Sequence, residues 1–334
     1  MSELASAGRR TLYQRGMLRC ALLDTSVLTT DIIAATRRPA PSSFVAGARA
    51  GTVGCLIPVH VWDEVPRVLA DRHREGGRFD LERALELWRS RYAPVLYVVD
   101  AADLPMTPEA QVLAGRDASD VPMLLLAGVI APVVIIGTDR DLLDSGLADA
   151  NWTALRAALG DVGVTEGRMS DLERQASVLM NITTGAVRGV MRMSDPKRLA
   201  VAAAVGAAVA GALYWRQRKH PRVPSQRRPV LPLMLEHAST RMAAHTARHT
   251  RGEDRWRQAE LGTPGDTLLH QVARTLVSSR EPLTRTAIVE RLGGAVPGTG
   301  HTERMAAVLE VLTAHAMFVN VGRAHWQVGR RGGR

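Results

Sequence analysis

Cys20-Ala-Leu-Leu-Asp24-Thr25-Ser26 is the stretch on which the fold turns: a short apolar run that ends on an acid and is followed at once by two hydroxyl residues. A run this brief, with no polar alternation, suits a strand buried on both faces. Thr25 and Ser26 can cap a helix that extends to about Arg37. Working outward, the pattern returns. A helical stretch covers Ser42 to Ala50, and Val53 to Ile57 reads as a second strand. Pro58 suits the first turn of the next helix, in which Val61, Val65, Val68 and Leu69 share a face. A helix over about Asp80 to Arg91 precedes a third strand at Val95 to Val99, and another helix lies near Pro108 to Ala114. Asp120-Val-Pro opens an apolar helix to Ile130, and Val133 to Ile136 forms a fourth strand that ends at Thr138-Asp139. Short aliphatic runs alternating with helices imply an α/β fold with a parallel sheet covered on both faces. In such sheets the functional site lies at the carboxyl ends of the strands, near a switch point. Asp24 and Asp139 both fall there.

Four acidic motifs occur in order along this half of the chain. They are Ala21-Leu-Leu-Asp24-Thr-Ser-Val-Leu, Pro58-Val-His-Val-Trp-Asp-Glu64-Val, Asp117-Ala-Ser-Asp120-Val-Pro and Ile136-Gly-Thr-Asp139-Arg-Asp141-Leu-Leu. Carboxylates gathered at one end of a sheet can hold Mg2+ or Mn2+, hard ions that select oxygen ligands over Cys or His. Such ions assist phosphodiester cleavage. In order, spacing and context the motifs resemble those of PIN-domain nucleases, the fourth being the most diagnostic. The resemblance implies a three-layer α/β/α fold and metal-assisted hydrolysis of RNA, or less often of structured DNA. It makes Asp24, Asp120 and Asp139 the metal ligands, and Glu64 a ligand or a partner of the metal-bound water. Asp117 competes with Asp120 for the third position, and Asp120 is preferred because it starts a helix. Asp141 would assist, and Thr25 or Thr138 would orient a ligand or water.

Each acid also has a plainer reading. Asp24 and Asp120 are good helix caps, and Asp139 suits a turn. His60 and His73 are read as surface histidines.

Charge is unevenly spread. Residues 1–160 hold 17 Lys+Arg against 19 Asp+Glu, whereas the remainder holds 26 against 14. A near-neutral half rich in carboxylates is thus followed by a basic half suited to nucleic acid or an anionic membrane surface. Two cysteines, Cys20 and Cys55, are too few for a disulfide framework, which fits a reducing, cytoplasmic compartment. Residues 1–17 carry arginines but no apolar segment of a secretory signal.

The expected organisation is a PIN-like nuclease domain at 18–160, a helical connector at 161–198, a hydrophobic helix at 199–215, a basic Pro/Arg-rich linker and helix at 216–262, and a small α+β domain at 264–330. Residues 199–215 carry no charge and are flanked by basic residues. At slightly under the ~20 residues of a membrane span, the stretch is read equally as a transmembrane helix, giving membrane association, and as a docked soluble helix. Two of three histidines in the basic helix, His245 and His249, have i, i+4 spacing; with His237 they are read as a solvated face rather than a metal site.

The last unit has the order helix, helix, helix, hairpin, and looks like a winged helix. Arg304 on its third helix, Arg323 at the wing and the tail residues Arg330 and Arg331 would meet phosphates. The functional expectation is an Mg2+- or Mn2+-dependent endoribonuclease, with RNA, or DNA through the winged helix, recruited by the basic region. PIN proteins of this half's size are often toxins, which implies an antitoxin-like protein partner. The contrasting expectation is a catalytically inactive PIN scaffold acting as a nucleic-acid-binding or regulatory adaptor.

Overall fold

Strand β1 (Arg19–Leu23) is buried along all but its first residue and passes through Asp24 into α1 (Thr25–Thr36). The turn is sharp because the Asp24 carboxylate accepts the first free N–H groups of the helix. In the computed structural model the described residues are 18–38, 42–144, 148, 151–163, 165–166, 230–260 and 262–332, with backbone alone at 230–239, 241 and 242. After α2 (Ser43–Arg49) comes β2 (Val53–Pro58), buried throughout, and then α3 (Val59–Arg74). Pro58 closes the strand and occupies the N-cap position, one residue before the helix it was expected to open. Its fixed φ and missing N–H suit that place as well.

The expected helix at 80–91 is shorter than its periodicity suggested. α4 (Leu81–Leu87) gives way to a π turn at Trp88–Tyr92 and a 3-10 turn at Ala93–Val95 before β3 (Leu96–Val99). Pro94, which lacks the N–H of a helical bond, lies in that tight turn. α5 (Pro108–Ala114) and the wholly apolar α6 (Val121–Ile130) lead to β4 (Val134–Ile136) and α7 (Arg140–Asp144).

The sheet has the order β4-β1-β2-β3-β8, where β8 is the two-residue strand Arg330–Arg331. Its first four strands are parallel, with Ala21 opposite both Cys55 and Val134, and Cys55 opposite Leu96. The chain moves outward from β1 to β2 and β3, then returns to the other side of β1 for β4. The switch point therefore lies between β1 and β4.

The fifth strand corrects the expectation of a purely parallel sheet. β8 (Arg330–Arg331) comes from the far end of the sequence and pairs antiparallel with β3, Tyr97 opposite Arg331. Two consecutive, exposed arginines give no strand signal of their own. Their conformation is set by the open edge of β3, whose backbone groups need partners. Gly329 makes the turn into β8: its φ is +68°, and a Cβ there would stand 2.7 Å from the Val98 carbonyl oxygen.

Before β8 the chain forms three helices, Leu268–Val277, Arg285–Leu292 and His301–Ala314, and a small sheet of β5 (Leu283–Thr284), β7 (His325–Val328) and β6 (Phe318–Asn320) in that order. Thr284 caps the second helix by accepting from Ala287 N at 3.2 Å. By contacts, Gln14–Glu166 and Arg248–Arg334 form one unit, and Met1–Tyr13 with Gly167–Ala247 form another. The first unit has a continuous core. Leu22, Ile57 and Val98 of the sheet, the α6 side chains Leu124 and Val129, and Val272, Leu276 and Trp326 of the C-terminal elements belong to it. Each fully buried Leu, Ile or Val in such a core contributes about 1.5–3 kcal/mol. Residues 199–215 lie outside the described residues; among those described, no helix is long and apolar enough to cross a membrane.

Candidate active site at the switch point

Asp24 stands at the exit of β1 and is 5% exposed. Its Oδ1 accepts from Thr25 N at 2.7 Å and its Oδ2 from Ser26 N at 3.1 Å. Ser26 Oγ donates to the same Oδ2 and accepts from Thr138 N at 3.0 Å, so one hydroxyl ties the exit of β1 to the exit of β4. Asp24 is thus a helix cap in fact. A carboxylate has about four acceptor positions, so capping leaves it able to take a further partner. Burial raises its pKa and the charge of Asp139 adds to that, while the cap hydrogen bonds oppose. Gly137 allows the close approach of the two strand exits, since a Cβ there would lie 3.3 Å from Asp24 Cβ.

Glu64, on the second turn of α3, is turned toward this point: Thr25 Oγ1 donates to its Oε2 at 2.8 Å. Its other oxygen is 3.5 Å from Arg67 Nη2 at the surface. Asp139 is half-buried just beyond β4, and its Oδ1 accepts from Asp141 N at 2.8 Å. Asp141 lies 3.6 Å from Arg116 Nη1, a loose ion pair near the surface.

Asp120 behaves differently from the others. It occupies the N-cap position of α6 but makes no capping hydrogen bond. It is 7% exposed, and its Oδ2 is buried without a hydrogen-bond partner. Desolvation raises its pKa, with the charges of Asp24, Asp139, Asp117 and Glu64 adding, to about 7. A buried carboxylate oxygen with nothing to accept is costly. Asp117 is a turn residue instead: its Oδ1 accepts from Ser119 N at 2.8 Å, and the Ser119 bonds hold its pKa below the ordinary value.

The structure therefore brings Asp24, Glu64 and Asp139 close enough to Asp120 for their charges to raise its pKa, with Asp117 at the rim. His60, given no role from sequence, belongs here too. Its Nδ1 is buried without a partner, and burial lowers its pKa against the pull of Glu64, Asp24 and Asp117. The signal was its place one helical turn before Glu64.

The acids do not close into a finished coordination shell. Among the described residues, the group of His, Cys, Asp or Glu ligand atoms within 4.8 Å of one another is Glu166, His249 and Glu253. His249 is thus not simply on a solvated face: its Nε2 lies 3.3 Å from Glu166 Oε1. Arg19 sits within the same group, 2.9 Å from Glu166 and in contact with Glu253. A guanidinium already balances those carboxylates, so the group reads as an ion-pair network fastening β1. The orphaned oxygen of Asp120 makes the switch point the better fit for a cation.

The arginines expected to meet nucleic acid are dispersed. Arg304 Nε donates to Gly298 O at 3.1 Å. Arg323 is exposed at the β6–β7 turn with φ +51° and lines a cleft with Glu281 and His325. Arg330 and Arg331 are exposed on β8. No family model, no curated protein and no solved structure matches the chain.

Proposed function

We propose that the chain is a PIN-type, metal-dependent endoribonuclease. The observation that carries this reading is Asp120: a buried carboxylate with an unpartnered oxygen, raised in pKa by its burial and by the charges of four other acids, Asp24, Asp139, Asp117 and Glu64. Clusters of carboxylates whose ionisation is mutually perturbed are characteristic of functional sites. On this reading the sheet and its helices form the three-layer PIN arrangement, and Asp24, Asp120 and Asp139 hold Mg2+ or Mn2+. A bound ion of this kind activates water and offsets charge developing on a phosphodiester. The chain's own groups prepare for that. Ser26 and Thr25 fix the Asp24 and Glu64 carboxylates, Glu64 orients a water from the α3 side, and Asp117 and Asp141 add negative potential at the rim.

The C-terminal helices and small sheet are read as a winged helix that recruits RNA, or DNA, with Arg304 and Arg323 meeting phosphates. The reduced, buried Cys20 and Cys55 accord with a cytoplasmic protein.

The test is cleavage of labelled RNA by the full chain in Mn2+, comparing wild type with Asp24→Asn and Asp139→Asn. Both substitutions should reduce cleavage by at least about a hundredfold. Cleavage that survives either the substitutions or EDTA would sink the assignment. Two observations favour the adaptor reading: both Asp24 oxygens are used in capping, and the acids do not close to ligand distance. That reading expects RNA binding with no metal-dependent cleavage at all.

A further inference from the structure

At the opposite end of the sheet from the acids, the entrances of β1 to β3 border a cleft of about 320 Å3, in the size range of small-ligand sites. Its lining includes Arg49, Arg280 and Arg331 and contains no carboxylate. Three distant segments of the chain converge there. Arg49 ends α2, Arg280 follows the helix Leu268–Val277, and Arg331 lies on β8.

Two of the guanidinium groups are positioned by the fold. Gly51, at φ +67°, would carry a Cβ only 3.0 Å from Arg280 Nη1, so its bare backbone gives Arg280 room. The Arg331 guanidinium stacks over the Tyr97 ring, 5.4 Å from its centroid, and Nη2 donates to Tyr97 Oη at 3.1 Å. Stacking of this kind fixes the plane of the guanidinium and leaves its fork geometry suited to oxyanions. An anion entering the cleft would meet the guanidinium groups of Arg49 and Arg331, both exposed at its lining.

We propose that this cleft is a phosphate-binding site, taking a terminal phosphate carried by a nucleotide or by an RNA end. The site does not depend on the nuclease assignment. Three probes are titrated calorimetrically into the full-length Asp139→Asn protein in EDTA, which removes metal binding and cleavage from the readout. They are inorganic phosphate, adenosine 5′-monophosphate, and an oligoribonucleotide with or without a 5′-phosphate.

Phosphate-bearing probes should bind, and the affinity should fall about tenfold or more in Arg49→Gln and in Arg331→Gln. Arg89→Gln, an equal loss of charge at an exposed position outside the cleft, should leave it unchanged. Tyr97→Phe keeps the ring and removes the hydroxyl, and should weaken binding less than Arg331→Gln. Preference for the monophosphate identifies a nucleotide; preference for the 5′-phosphorylated over the 5′-hydroxyl oligoribonucleotide identifies an RNA end. Absence of binding by every phosphate-bearing probe overturns the proposal. So does an equal loss in all three arginine variants, which would mark a general charge effect. Arg49 is exposed on a helix end, so its variant remains informative if Arg331→Gln fails to fold.

Discussion

Asp120 has a cost that can be measured apart from any activity. Its folded-state pKa is raised to about 7, while the unfolded chain keeps an aspartate near 4. Between those values the folded protein holds a proton that the unfolded chain releases. The group's contribution to stability therefore falls as pH rises from about 4 to about 7, and stays at its lower level above. Asp120→Asn, neutral at every pH, should stabilise the metal-free protein at pH 8 by about 1–3 kcal/mol, with the advantage shrinking toward pH 5. Thermal melts in EDTA across that range check it, and an advantage independent of pH contradicts it. At this scale the sequence was partly legible. Asp24 and Asp139 could be placed because strand ends can be read from aliphatic runs. The lack of a cap bond at Asp120 and the buried Nδ1 of His60 could not, because each depends on what packs over α6 and α3.

Among the elements, the strands of the parallel sheet were legible because buried strands are continuous apolar runs. The ties between helices were not. Asp31, on α1 and 1% exposed, accepts from Tyr92 Oη at 2.8 Å and pairs with Arg156 Nη1 at 2.8 Å. The three residues join α1, the turn before β3 and the helix over 152–163. Burial and the neighbouring Asp31 charge push the Tyr92 hydroxyl pKa up, so it stays a donor. No local pattern pairs residues 61 and 125 positions apart. Asp31→Ala leaves the partly buried Arg156 without its counterion, and should cost about 3 kcal/mol by chemical denaturation. Tyr92→Phe should cost about 1–2 kcal/mol. Values near zero for both would mean that apolar packing alone holds these elements.

For the molecule as a whole, the decisive feature is β8, whose two arginines look in sequence like part of a basic tail. It joins the last residues described to the N-terminal sheet, and with it the fate of one end of the chain becomes tied to the other. Gly332 N donates to Leu96 O at 3.1 Å, and Gly329 N to Met317 O at 2.8 Å. Deleting residues 329–334 should uncover the β3 edge, lower the melting temperature by several degrees and promote self-association. Calorimetry with light scattering would show this, and an unchanged melt would mean the edge needs no cover. Gly329→Ala is a milder form of the same test, expected to cost about 1–3 kcal/mol through its positive φ and the close carbonyl. The proposed cation site lies instead at the carboxyl ends of β1 and β4, among the acids. It is tested most directly by Mn2+ binding to the full chain, followed by electron paramagnetic resonance. The affinity should drop about tenfold or more in Asp120→Asn and in Asp139→Asn and stay unchanged in Glu253→Gln. Binding that ignores both aspartate substitutions, or that is lost in Glu253→Gln instead, would contradict it.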